Sequence, residues 1–176
     1  MAENDTNDQA APASAGGGQA TGPQFAIQRV YLKDASFESP RSPVVFQNKW
    51  APRINFDIKT RSEKIQDDVY EVVLVLTAEA QLEEKVAFLV EVQQAGIFTM
   101  KDFDAVQLEQ LLATVCPTIL FPYARETIDT FVVKGSFPAL MLSPINFDVL
   151  YAQQKQQRLE QANGANGASA NPIPAP

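Results

Sequence analysis

The sequence contains no histidine and a single cysteine, Cys116. Thiol and hydroxyl nucleophiles usually hand their proton to histidine, so this absence removes Ser-His-Asp and Cys-His catalysis. It also removes histidine metal sites and histidine pH switching. One cysteine can form neither an internal disulfide nor a zinc knuckle. Cys116 opens the stretch "CPTILFPYARE" and is read as a small buried hydrophobe, the ordinary state of a free cysteine. No phosphate-cradling loop exists, since "GGG" at 16–18 follows no strand. Asp67-Asp68 and Glu83-Glu84 read as solvated turn charges rather than catalytic acids. No enzyme activity, cofactor or metal is expected.

Long apolar runs are missing too. None approaches the roughly 18 residues of a membrane helix. The start "MAENDTNDQA" has neither a basic n-region nor an apolar h-region, so no export signal is read and a cytoplasmic location is expected. The net charge of −7 makes nucleic acid and anionic lipid poor partners. A basic protein, or an unfolded and positively charged chain, would be attracted instead.

What is present is enough for one core: 45% of the residues are apolar. Residues 1–24 and 160–176 are low in complexity and are expected to be disordered tails, because their composition cannot offset the entropy of ordering. The folded unit is placed at 25–159. Within it, "VYEVVLVLTAEAQL" (69–82) divides by parity. Even positions from Tyr70 to Leu82 are all apolar, and odd positions are mixed. Val86, Phe88, Val90 and Val92 repeat the pattern against Leu89, Glu91 and Gln93. Ile54, Phe56 and Ile58 do so in "RINFDIKT", while "FAIQRVYLKD" (25–34) alternates less regularly. Short connections such as "EEK" favour antiparallel hairpins. An antiparallel sheet with one covered face and one open face is therefore expected.

The second half is helical. Leu108, Leu111, Leu112 and Val115 recur at helical spacing, then Leu120, Ala124, Ile128 and Phe131 lead to a C-terminal cap at Gly135. Pro117 interrupts the first pattern and Pro122 suits the first turn of the next. The stretch 116–126 is accordingly expected to be a corner between two helices. A last helix starts near Asn146, whose side chain would cap it. Between the helices, "GSFPALMLSPIN" (135–146) is a loop rich in large apolar residues. It either folds down onto the core or forms the apolar wall of a groove. The open sheet face mixes Asp57, Glu71, Glu79 and Glu91 with Val73, Val75 and Leu89; a protein interface and a plain solvated face are both readings of it.

These blocks, with "FAIQRVYLKDASFESP", Trp50, "DDVYEVVL", "AFLVEVQQAGIF" and "GSFPALMLSPINFDVLY", closely resemble the SecB family of protein-export chaperones. The resemblance covers about Phe25 to Ala152 and leaves out both tails. It implies an α+β fold, a four-stranded antiparallel sheet with helices packed on one face, assembling as a dimer of dimers. It implies an ATP-independent holdase that keeps unfolded precursor proteins translocation-competent and delivers them to the SecA motor. Asp34, Glu38, Leu89 and Glu91 match the family's SecA-docking positions. Trp50, Phe137, Leu140 and Leu142 match its client groove. Val90, Val92 and Gln94 match positions that influence assembly between dimers. A carboxylate-only enzyme and a purely structural oligomer are the competing readings; neither would hold an unfolded client.

Overall fold

The computed structural model describes residues 22–167, with side chains through residue 161. Of the expected tails, 1–24 and 160–176, residues 1–21 and 168–176 lie outside the described residues. Four long antiparallel strands form one sheet: β1 Gln24–Glu38, β2 Arg53–Gln66, β3 Val69–Leu82 and β4 Lys85–Lys101. Their spatial order is β1-β4-β3-β2. The three hairpin-linked strands follow the sequence, and β1 returns to pair with the far side of β4. Glu83 and Glu84 both take positive φ, which makes the β3–β4 connection a two-residue turn whose twist matches the strands.

The parity expected for β3 is observed, and that expected for β4 holds from Phe88 onward; a bulge at Ala87 pairs Val86 with Gln81 and turns it to the open face, against the expectation. Val72, Leu74, Leu76, Ala78 and Ala80 are fully buried on the helix side, as are Phe88, Val90 and Val92. Each large side chain in such a position contributes about 1.5–3 kcal/mol on burial. β2 departs from the expectation. Only Ile58 packs against the core, whereas Ile54 and Phe56 remain 38% and 36% exposed. The helices do not reach the outer edge of the sheet.

The expected corner at 116–126 is not a corner. Helix α1 (Ala105–Gln110), a π-helical turn (Leu111–Val115) and α2 (Cys116–Lys134) run as one continuous helix over Ala105–Lys134. The wide turn accommodates Pro117: Cys116 N–H donates to Leu111 O, one residue further back than in an α-helix. Pro122 lies on the exposed side of α2, where the carbonyl it leaves unpaired can be hydrated. What keeps the helix continuous through two prolines is its buried row. Cys116, Leu120, Ala124, Ile128 and Val132 recur at every fourth residue and are all fully buried against the sheet. Gly96 of β4 admits this row, since a methyl there would meet Leu120 Cδ2 at 3.0 Å. By length and composition this helix could cross a membrane, contrary to the expectation that no segment approaches that limit. Its apolar residues divide between the row that covers the sheet and others, Val115, Tyr123 and Val133, that stay exposed.

Gly135 ends the helix as expected, but not in the left-handed conformation: its φ is −73° and Ser136 takes the positive φ. Glycine is needed there because a side chain would run into the Phe37 ring. Helix α3 (Phe147–Gly167) begins where expected, with Val149 N–H donating to Asn146 Oδ1 at 3.1 Å. It continues through 160–167, beyond the expected end of the folded unit.

Cys116 is fully buried, and burial pushes its thiol up to about 12. Almost no thiolate exists at pH 8, so the folded protein should resist a thiol reagent that labels it rapidly in denaturant. Cys116→Ser should lower stability by about 1–3 kcal/mol, because a buried hydroxyl replaces sulfur. Denaturant titration checks this; rapid labelling of the native thiol would contradict the burial.

Candidate functional site

Two surfaces lie on opposite sides of the sheet. On the helix side, the segment joining β1 to β2 folds a short 3-10 turn, Val44–Gln47, and places Val45 in the core. It leaves Val44 and Phe46 about half exposed (55% and 48%). The 135–146 loop faces it. That loop is anchored at its start and at its middle: Phe137 N–H donates to Val132 O, and Asp129 Oδ1 accepts from Leu140 N–H (3.0 Å) and Met141 N–H (3.1 Å). Asp129 thereby holds the backbone where Met141 takes positive φ and turns out to solvent.

Between the two segments sits an aromatic cluster. Phe137 lies 4.9 Å from Phe88 and 5.2 Å from both Phe46 and Trp50, ring centre to ring centre. Phe37 stacks on Phe88 at 5.8 Å. The rings are tilted or offset, the arrangements that aromatic quadrupoles favour. For Phe137, only 5% exposed at the centre of the cluster, the loop folds down onto the core. Trp50, Leu140 and Leu142 are half-buried and pack against the same core. Phe46 was missed in the sequence, because a Pro-flanked segment without periodicity carries no signal of where its side chains point. Further along the helix side, Phe56, Ile58, Leu112, Leu150 and Tyr151 line a cleft of about 630 Å³ together with Lys59, Glu109 and Arg158, so its walls are part apolar and part charged.

The open face is a different surface. Reading across β1, β4 and β3, the register places Glu38 beside Leu89 and Glu79, Ser36 beside Glu91 and Thr77, and Asp34 beside Gln93 and Val75. Asp34, Glu38, Leu89 and Glu91 are therefore neighbours on one face. Asp34 and Glu38 are exposed; Leu89 and Glu91 are half-buried. Glu91 accepts from Thr77 Oγ1 (3.3 Å) and Gln93 Nε2 (3.1 Å). The apolar character expected of this face is smaller than the sequence implied. Val73 and Val75 are buried beneath their neighbours, packed with Ala95 and Tyr31.

Next to them, Glu71 accepts a hydrogen bond from the Tyr31 hydroxyl and pairs with Lys33 Nζ at 2.6 Å. Lys33 and Tyr31 hold the Glu71 carboxyl below the usual carboxylate range. The carboxylate acceptor pushes the Tyr31 hydroxyl up to about 12. Val90, Val92 and Gln94 lie on the opposite face of β4, buried under the helices.

The weak alternation of the first strand now has a cause. β1 carries two bulges, at Gln28 and at Lys33, each inserting one unpaired residue against β4. Each bulge switches the side to which alternate residues point. On the helix side β1 leaves Ile27 and Leu32 about half exposed.

A family model described as preprotein translocase subunit SecB matches residues 18–158. The chain is 58% identical over 142 residues to the protein-export protein SecB of Marinobacter nauticus, covering 81% of this chain and 86% of that protein. To the protein of the same name from Hahella chejuensis it is 56% identical over 147 residues, covering 83% and 92%. Among solved structures, it is similar to a SecB-like chaperone of Mycobacterium tuberculosis in complex with a ChAD peptide from an antitoxin. That likeness has a TM-score of 0.57 at 15% identity, and covers 69% of this chain and 88% of the other.

Proposed function

The chain belongs to the SecB family and has a chaperone role in preprotein export, and from that premise we propose that it is a cytoplasmic, ATP-independent holdase that passes its clients to SecA. The observation that carries the reading is that one sheet presents half-buried apolar side chains on its helix side and carboxylates on its open face. Half-buried apolar side chains on the helix side can take up the apolar side chains of an unfolded chain, gaining by their removal from water. Trp50, Leu140 and Leu142, with Phe46, supply the client wall above Phe137. Acidic groups around Leu89 on the open face supply a docking patch that a folded, basic partner can meet while a client is held. Asp34, Glu38, Leu89 and Glu91 are its residues. Because the two sites lie on opposite faces, neither contact blocks the other.

The chain also leaves apolar surface that one subunit cannot cover. Ile27 and Leu32 on β1, and Val115, Tyr123 and Val133 on the outer side of the helix, are 37–55% exposed. A homotetramer, built as a dimer of dimers, would bury them. Val90, Val92 and Gln94 influence that assembly from beneath, by setting the level at which the helices rest on the sheet.

Light scattering tests both parts. Diluting a chemically unfolded client into buffer with the protein and no nucleotide should leave the scattering flat. The protein alone should have a mass of about 77 kDa, that of four 19.3 kDa chains. Scattering that rises as fast as without the protein would remove the holdase reading. A monomer at micromolar concentration would remove the tetramer.

A further inference from the structure

The bulge at Lys33 decides which side of the sheet the docking carboxylates occupy. Tyr31 points to the open face, opposite Ala95. Uninterrupted alternation from there would send Lys33, Ala35 and Phe37 to the open face and Asp34, Ser36 and Glu38 to the helix side. The observed register is the reverse. Leu32 pairs with Gln94 and Asp34 with Gln93, so Lys33 is the extra residue. Beyond it Asp34, Ser36 and Glu38 are open-facing, and Ala35 and Phe37 pack on the core. Slipping this bulge would exchange the two sets, which is the usual penalty of a one-residue register error.

The side chains around the bulge are tied across the sheet. Tyr31 and Lys33, both on β1, reach over β4 to the same carboxylate of Glu71 on β3. The residue they pass over is Ala95, which is fully buried and small enough to let them cross. The Glu71 side chain is 14% exposed, so this pair is more shielded than the surface pairs Lys59–Asp57 and Lys64–Asp67. Shielded, charge-assisted bonds are the strong ones. They also converge on β3, a strand that β1 does not pair with.

We infer that Tyr31, Lys33 and Glu71 form a lock that holds the β1 bulge in place and thereby keeps Asp34 and Glu38 on the docking face. The three are positioning residues: they act on the partner through the carboxylates they orient. The inference rests on the docking role proposed above for the open face.

The test uses the full-length tetramer and purified SecA. Glu71→Ala should weaken SecA binding about tenfold, the scale of losing aligned charges at an interface rim, with client holding and mass unchanged. Tyr31→Phe, which keeps the ring over Val73 and Ala95, should give a smaller loss in the same direction. The decisive variant deletes Lys33 in the Glu71→Ala background. Removing the extra residue makes the ladder regular while leaving Asp34, Ser36 and Glu38 open-facing. Binding should then return toward wild type without the lock. Wild-type binding by Glu71→Ala would mean that the bulge needs no lock. A loss that deletion does not restore would mean that Glu71 meets SecA directly. Either result overturns the inference. The Glu91→Lys variant separates this from the docking role itself: if that variant also binds normally, the open face is not the docking site.

Discussion

Glu91→Lys should bind SecA at least about thirtyfold more weakly than the native chain, a loss of about 2 kcal/mol or more from placing like charges face to face. The argument is one of position. Glu91 is half-buried between Ser36 and Thr77, in the middle of the patch that Asp34, Glu38 and Leu89 complete. A basic partner gains from all these carboxylates together, and reversing the central charge turns its strongest attraction into repulsion. The substitution leaves the buried side of β4 untouched, where Val90 and Val92 pack. A lysine stem can lie along the sheet with its head in water. The hydrogen bonds from Thr77 and Gln93 are lost, at about 0.5–1.5 kcal/mol each. The tetramer and client holding should therefore survive. Native binding should weaken as salt rises, because the exposed part of the patch is screened. Leu89→Gln should act in the same direction by removing the apolar centre. Titration calorimetry against SecA, beside the aggregation assay, measures both activities. Normal SecA affinity would dismiss the docking site, and a dissociated tetramer would contradict the strand parity.

Phe137→Ala should produce the largest stability change, about 3–5 kcal/mol, the usual cost of emptying an aromatic site in a core. Phe137 is the ring at which both loops meet, touching Phe37, Phe46, Trp50 and Phe88. Its loss would leave a cavity, and would free Trp50 and Phe46 from the surface they rest on. Client holding should fall with it. Phe46→Ala separates the two effects, because Phe46 is 48% exposed. Its truncation should cost about 1 kcal/mol of stability yet still reduce client affinity. Guanidinium titration and the aggregation assay give both quantities. Equal stability losses in the two variants would mean that Phe137 is not the floor of the groove.

How far the sequence carries depends on what each segment must satisfy. β3 was legible in full and β4 from Phe88 onward, since along their shared ladder only the bulge at Ala87, which turns Val86 outward, breaks the alternation between buried and open residues. β1 was legible as a strand but not in its facing, because two bulges switch the parity and neither leaves a compositional mark. The proposed docking residues came from resemblance; periodicity alone placed Leu89 and Glu91 on the open face, on the regular part of β4. The helix was misread at Pro117 and Pro122. Local chemistry disfavours helix at both, but the buried row from Cys116 to Val132 outweighs that penalty, and a π turn absorbs it. The aromatic floor was half legible: Phe137 was singled out, but its burial depends on Phe46 and Trp50, brought to it from far along the chain.

The strand order has a consequence for how the chain is made. β2, β3 and β4 are joined by tight turns and can pair as soon as each is synthesised. β1 is made first but pairs only with β4, Phe25 meeting Met100 at one end of the ladder. Closing so long a loop comes late in folding, since its entropy must be met before its contacts form. During that interval Phe25, Val30 and Phe37 have no core to enter. The nascent chain is then itself an incomplete polypeptide showing apolar strand to solvent, the condition that the finished protein is proposed to manage in others.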